Sequence, residues 1–181
     1  MSNRPLRPVK RYQEDPNHTI KSVWLDDPTY AAAMTAFVLV CTDAVIVDRR
    51  RRTIWLATRA ILPMRGLWVI GGRRLAGETI AASIQRCFAR ETSLTIPRER
   101  FKYLRQNEYL WSTRQQLPQD VGSHNLVDVF AIQLKKEERE AASRSLVGAE
   151  YEPVGLQEFS RRALLDANVH EALVDLYDFV F

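Results

Sequence analysis

A chain of 181 residues, 46% hydrophobic and 27% charged, is long enough for one domain with a substantial core. Its two cysteines, Cys41 in an apolar run and Cys87 in a helical stretch, exclude a disulfide framework and a zinc-ligand spacing, and read as buried thiols of a reducing compartment. A formal charge of +4 favours anionic ligands without singling out nucleic acid. No secretory leader is evident and the apolar run Tyr30–Val40 is too short for a bilayer span, so a cytoplasmic protein with no membrane partner is expected.

Residues 1–28 are polar, carry Arg4, Arg7, Lys10 and Arg11, and lack sustained periodicity. They read as an N-terminal arm that ends at Asp27-Pro28, with Ile20, Val23 and Trp24 as anchors, ahead of a domain over residues 29–181. Thr35–Val40 and Ala44–Val47 read as strand, and Thr53–Ala57 as the strand that pairs back after a solvated turn holding Arg49–Arg52. Arg59 ends that strand, Pro63–Gly66 forms a loop, and Trp68-Val69-Ile70 leads into Gly71-Gly72, where the backbone can approach a ligand with no side chain in the way.

After Leu75-Ala76-Gly77, Glu78 and Thr79 open a helix in which Ile80, Ile84 and Phe88 recur at helical period; its other face carries Gln85, Arg86, Arg90 and Glu91. Glu78 and Arg86, eight residues apart, stand about two turns from each other on nearly one face and read as a structural charge pair. Arg90 either pairs with a neighbouring carboxylate or reaches a ligand phosphate. Phe101–Leu110 and Leu126–Leu134 read as strands, joined by the polar segment Trp111–Asn125, which is long for a hairpin and suits substrate selection. Lys135–Glu140 is a charged run and Ser143–Gly148 a loop of small residues. Arg162–Phe181 has the period of one C-terminal helix, through Leu164, Leu165, Val169, Leu173, Leu176 and Tyr177, that covers the sheet or forms the contact of an expected homodimer.

The stretch Trp68–Leu94 resembles the Nudix box, the signature of the Nudix hydrolases. Gly72, Glu78 and Arg86 stand at the required spacings, Phe88 and Leu94 hold the apolar places, and Glu91 holds the last glutamate. Cys87, Arg90 and Ser93 depart from the pattern, the first two where the family has metal-binding glutamates. The resemblance spans about residues 35–175 and implies an α/β/α sandwich with a mixed central sheet. The pattern is similar to the GDP-mannose mannosyl hydrolases. That likeness implies Mg2+ held by Glu91 and the Gly71 carbonyl, and a diphosphate engaged by Arg59 and Arg73.

Two further places depart from that subfamily. Its metal-binding glutamine and its base histidine fall on Val147 and Gly148, and a ligand-contacting aspartate of the first strand falls on Ala44, with Asp43 on the opposite side. Glu150 and His124 are the substitute candidates for the base. The implied function is magnesium-dependent hydrolysis of a nucleotide sugar or a related nucleoside diphosphate derivative. The alternative is a Nudix-fold protein that binds such a nucleotide, or regulates through it, without turnover. Either way the partner is a small-molecule nucleotide derivative. The physical basis is that guanidinium groups meet paired phosphate oxygens bidentately, while carboxylate and carbonyl oxygens are hard ligands suited to magnesium.

Overall fold

The computed structural model describes residues 9–181, so Arg4 and Arg7 lie outside the described residues. Its core is a mixed sheet between helices, the α/β/α sandwich expected from the sequence. The strands are β1 (Leu39–Asp48), β2 (Thr53–Arg59), β3 (Gly66–Trp68), β4 (Ile70–Arg73), β5 (Lys102–Trp111), β6 (Ser123–Ile132) and β7 (Tyr151–Phe159). The helices are α1 (Asp27–Ala36), α2 (Ile80–Thr92), α3 (Lys136–Arg144), α4 (Arg161–Asp166) and α5 (Glu171–Val180). No described helix is long and apolar enough to cross a membrane.

β1 is central because it changes partner along its length. Residues 46–48 pair with β2 and residues 41–44 with β4, both antiparallel, while its other edge runs parallel to β6 from Leu39 to Ile46. The sheet therefore splits on one side of β1 between Ala44 and Ile46, where β4 gives way to β2. Alternation along β1 sends Ala44 and Ile46 to one face, where they pack with Ile84 and Phe88 of α2 and Ala142 of α3. Val45 and Val47 go to the other face, against Leu173, Leu176 and Val180 of α5.

Three elements differ from the sequence reading. Thr35 and Ala36 end helix α1 rather than opening a strand. The Asp26 carboxylate caps that helix by accepting from Thr29 N at 2.9 Å, so Asp27-Pro28 forms its first turn, where proline is tolerated. The charged run after β6 is helix α3, which buries only Ala142 completely and so shows little apolar period. The C-terminal helix is two helices. The chain breaks at Asn168, whose φ of 49° is left-handed, and restarts at His170, whose Nδ1 accepts from Ala172 N at 3.2 Å.

Helix α3 is fastened at its start by Glu138. The carboxylate accepts from Lys135 N at 2.8 Å and from both terminal nitrogens of Arg100, at 2.6 and 2.7 Å. Those Arg100 hydrogen bonds hold the Glu138 carboxyl well below the usual range, at about 2. A depressed folded value means that this stabilisation is complete above the unfolded value of 4.5 and is lost as pH falls towards 2. Both side chains are partly solvated, so Glu138→Gln is expected to lower stability by only about 1 kcal/mol at pH 7. Urea unfolding checks this, and the gap between the two proteins narrows below pH 4.5 and closes only as pH approaches 2.

Candidate functional site

Helix α2 sets the floor of the site. Thr79 caps it, its side chain accepting from Ala82 N at 3.1 Å, and its buried stripe runs Ser83, Ile84, Cys87, Phe88, Glu91, Thr92. That spacing of three and four turns a carboxylate inward at the last turn. Glu91 is 0% exposed: one oxygen bonds the Arg90 guanidinium and the other, Oε2, has no hydrogen-bond partner. The Arg90 guanidinium also lies 3.7 Å from Glu150, in the turn just before β7. Burial pushes the Glu91 carboxyl up, the charge of Glu150 adds to the rise, and Arg90 and Arg59 oppose it.

The loop from β4 to α2 is held by the charge pair. Arg86 Nε and Nη2 donate to the two Glu78 oxygens at 2.5 and 2.9 Å, and Nη2 also donates to Arg73 O at 2.8 Å. Glu78 accepts from Leu75 N at 2.8 Å as well. Partial burial raises the Glu78 carboxyl, but the Arg86 and Leu75 hydrogen bonds outweigh it and the net shift is downward. This network fixes the backbone of Arg73, whose side chain stacks over Tyr30 of α1 at 4.3 Å from the ring centre.

Above this floor is a cavity of about 500 Å³. Arg59, Arg73, Arg90, Glu150, Gly71 and Asp43 line it, with Cys41, Cys87 and Tyr151 among its other walls. Among the described residues Arg59 and Arg73 form no ion pair, and the buried Arg59 Nε has no hydrogen-bond partner. The Arg59 charge is nonetheless felt at both Asp43 and Glu91, so this guanidinium stands between two acids and remains free to meet an anion.

Asp43 is the acid that the sequence reading set aside. Ala44, the place that reading compared with the ligand-contacting aspartate, faces the α2 core, and the opposite side, where Asp43 points, is the cavity side. Burial pushes the Asp43 carboxyl up to about 7 against the charge of Arg59. Gly71 is its register partner, and a Cβ there would lie 2.0 Å from Asp43 Oδ1 and 2.5 Å from Thr42 O. The first glycine of the pair therefore makes room for this carboxylate. Gly72 backs onto α2, where an added Cβ would meet Cys87 Sγ at 3.3 Å.

His124 is not brought to this group. It lies on the sheet face opposite Asn125, with Nε2 2.8 Å from Glu108 Oε1 and outside the cavity. Val147 and Gly148 carry no donor into it either; the Val147 carbonyl accepts from Glu150 N and Tyr151 N. The two thiols supply no hard ligand, since burial raises both of them, Cys41 to about 12.

Among the described residues no three His, Cys, Asp or Glu side chains form a metal-holding group. Magnesium asks for less, because it is commonly held by one or two carboxylates and completes its shell with water and substrate phosphate. Glu91 and Glu150 are such a pair, close enough for one charge to raise the other's carboxyl, and Glu91 Oε2 is a buried acceptor without a donor. The donor set fits on that ground, with Arg90 as the resident cation a metal would displace.

No family model matches the chain, and no curated protein matches it. Solved structures do. A MutT NUDIX hydrolase from Burkholderia pseudomallei superposes with a TM-score of 0.56 at 19% identity, covering 71% of this chain and 87% of that one. The E. coli dihydroneopterin triphosphate pyrophosphohydrolase gives 0.53 at 13% identity, over 78% and 96% of the two chains. Shewanella oneidensis NrtR gives 0.54 at 14%, over 78% and 61%. At these identities the likeness shows the fold, and the fold is that of the Nudix hydrolases.

Proposed function

We propose that this Nudix-fold chain is a magnesium-dependent hydrolase of a nucleoside diphosphate derivative, with a nucleotide sugar as the leading class. The observation that carries the reading is the fully buried Glu91, whose Oε2 has no hydrogen-bond partner, within electrostatic reach of Glu150 on the wall of an arginine-lined cavity. Glu91 and Glu150, with the Gly71 carbonyl, would hold the ion. Bound there, magnesium would supply Lewis-acid polarisation of a phosphate oxygen.

The chain's own residues account for the rest. Arg59 and Arg73 grip the diphosphate and stay charged throughout, which neutralises the leaving group as its charge grows. Asp43, poised near neutral pH inside the cavity, takes or returns a proton; Glu150 is the second candidate for that role. His124, turned to the other face, is left as a surface residue paired with Glu108.

A second reading, nucleotide binding without turnover, rests on a different observation. Arg90 already joins Glu91 and Glu150, and so supplies the positive charge that a metal would bring. Calorimetric titration of nucleotide sugars with and without Mg2+, followed by assay of released sugar and phosphate, separates the two. Magnesium-strengthened binding with product is the expected result, and the product names the bond cleaved. Tight binding that ignores magnesium and yields no product establishes the second reading instead.

A further inference from the structure

The charged head occupies one end of the cavity, and the other end is built differently. Residues 39, 41 and 43 of β1 all face the cavity, so the lattice of the sheet measures its length. In register, Leu39 pairs with Asn125 of β6, and Asn125 pairs with Tyr109 of β5. These three side chains form a row four residues from Asp43, about 13 Å away at ~3.3 Å per residue. That is comparable to the reach from the terminal phosphate to the base of an extended nucleoside diphosphate.

The row carries the chemistry of base recognition. Tyr109 and Trp111 stack with centres 5.2 Å apart and planes within 15°, and Trp68 meets both edge-on at 5.7 and 5.6 Å. The three rings therefore pack against one another into one wall. Trp24, 89% exposed, lines the same cavity from the chain leading into α1 and offers a second ring face. Next to Tyr109 in the β5–β6 register, the Asn125 carboxamide is oriented from both ends: Oδ1 accepts from Ser123 Oγ at 2.9 Å and Nδ2 donates to Cys41 Sγ at 3.6 Å. One N–H and one lone pair remain, a side-by-side donor and acceptor that match the edge of a nucleobase. Aromatic rings lining the same cavity as an oriented carboxamide suit a planar heterocycle better than a sugar, which has no flat face to stack.

We infer that the Asn125 end of the cavity is a nucleobase site, with Asn125 pairing to the base edge and the Tyr109–Trp111 wall and Trp24 covering its faces. This rests on the nucleotide reading above and assigns the ligand's direction: base towards Asn125, diphosphate towards Arg59. The sugar or other group beyond the diphosphate then lies on the Asp43 side, next to the proposed proton carrier.

The test compares affinities of inorganic pyrophosphate, a nucleoside diphosphate and the bare nucleoside, by calorimetry and tryptophan fluorescence, in the full chain and in Asn125→Leu and Trp111→Leu. The nucleoside diphosphate is expected to bind at least ~10-fold tighter than pyrophosphate and to quench tryptophan emission. Each variant removes most of that advantage and leaves pyrophosphate within about twofold, which also reports an intact fold. Equal affinities for pyrophosphate and nucleoside diphosphate, or an advantage that survives Asn125→Leu, would overturn the base site and leave the phosphate reading standing. Nucleoside binding without pyrophosphate binding would do the reverse, and an absence of all three would sink both.

Discussion

Glu91→Gln is expected to abolish the effect of magnesium on ligand binding and to reduce turnover by at least ~100-fold, with the fold intact. The carboxamide has the size of the carboxylate it replaces and fills the same slot at the end of the α2 stripe. What it removes is a charge that the fold does not favour, since burial and the charge of Glu150 both press Glu91 towards its neutral form. A raised acid weakens the fold as pH climbs past its ordinary value, so neutralising it relieves a strain rather than breaking a support. Arg90 is half exposed and keeps Glu150 as a partner. The thermal midpoint should therefore stay level or rise while the magnesium titration goes flat. If Glu91 were present only as the partner of Arg90, the variant would lose stability and leave the nucleotide titration unchanged.

That contrast reflects what the sequence exposes and what it hides. The α2 stripe was legible because Ile80, Ile84 and Phe88 carry an unambiguous period, but Glu91, which reads from the sequence as part of the opposite face with Gln85, Arg86 and Arg90, lies on the buried line with Cys87 and Phe88. Glu78 and Arg86 were legible because a helix fixes which residues eight apart share a face. Asp43 was not, because alternation along a strand says only that neighbours face opposite ways. Which face holds the cavity depends on β4 leaving β1 near Ala44, and that pairing of distant segments has no local signature. The aromatic wall was hidden for the same reason: Trp68, Tyr109, Trp111 and His170 come from three separate stretches and meet only in the fold. Helix α1 was misread because it buries only Ala31 and Met34 and so lacks a strong apolar face; the signal available was the Asp26 cap with Pro28 in the first turn.

Asp43→Asn is expected to raise stability and lower activity together. The carboxyl moves from 3.8 to about 7 on folding, with burial the main cause and Arg59 acting against it. The native state thus binds more protons than the unfolded chain across that window, and stability declines as pH rises from about 4 to about 7. Three pH units correspond to about 4 kcal/mol at full value, and relaxation of the protein and water around a carboxylate that borders a cavity brings the expectation to about 2 kcal/mol. Asparagine keeps the shape that Gly71 accommodates and cannot ionise. Urea unfolding should therefore show a variant more stable by about 2 kcal/mol at pH 8, level with the parent at pH 4, and without the slope between. Turnover should fall by roughly 100-fold and lose the limb that titrates near neutral pH. A stabilised variant whose activity and pH profile match the parent would make Asp43 a tolerated burial and leave Glu150 as the proton carrier. Both changes together would mean that the split beside β1 keeps an unfavourable carboxylate in place because the reaction uses it.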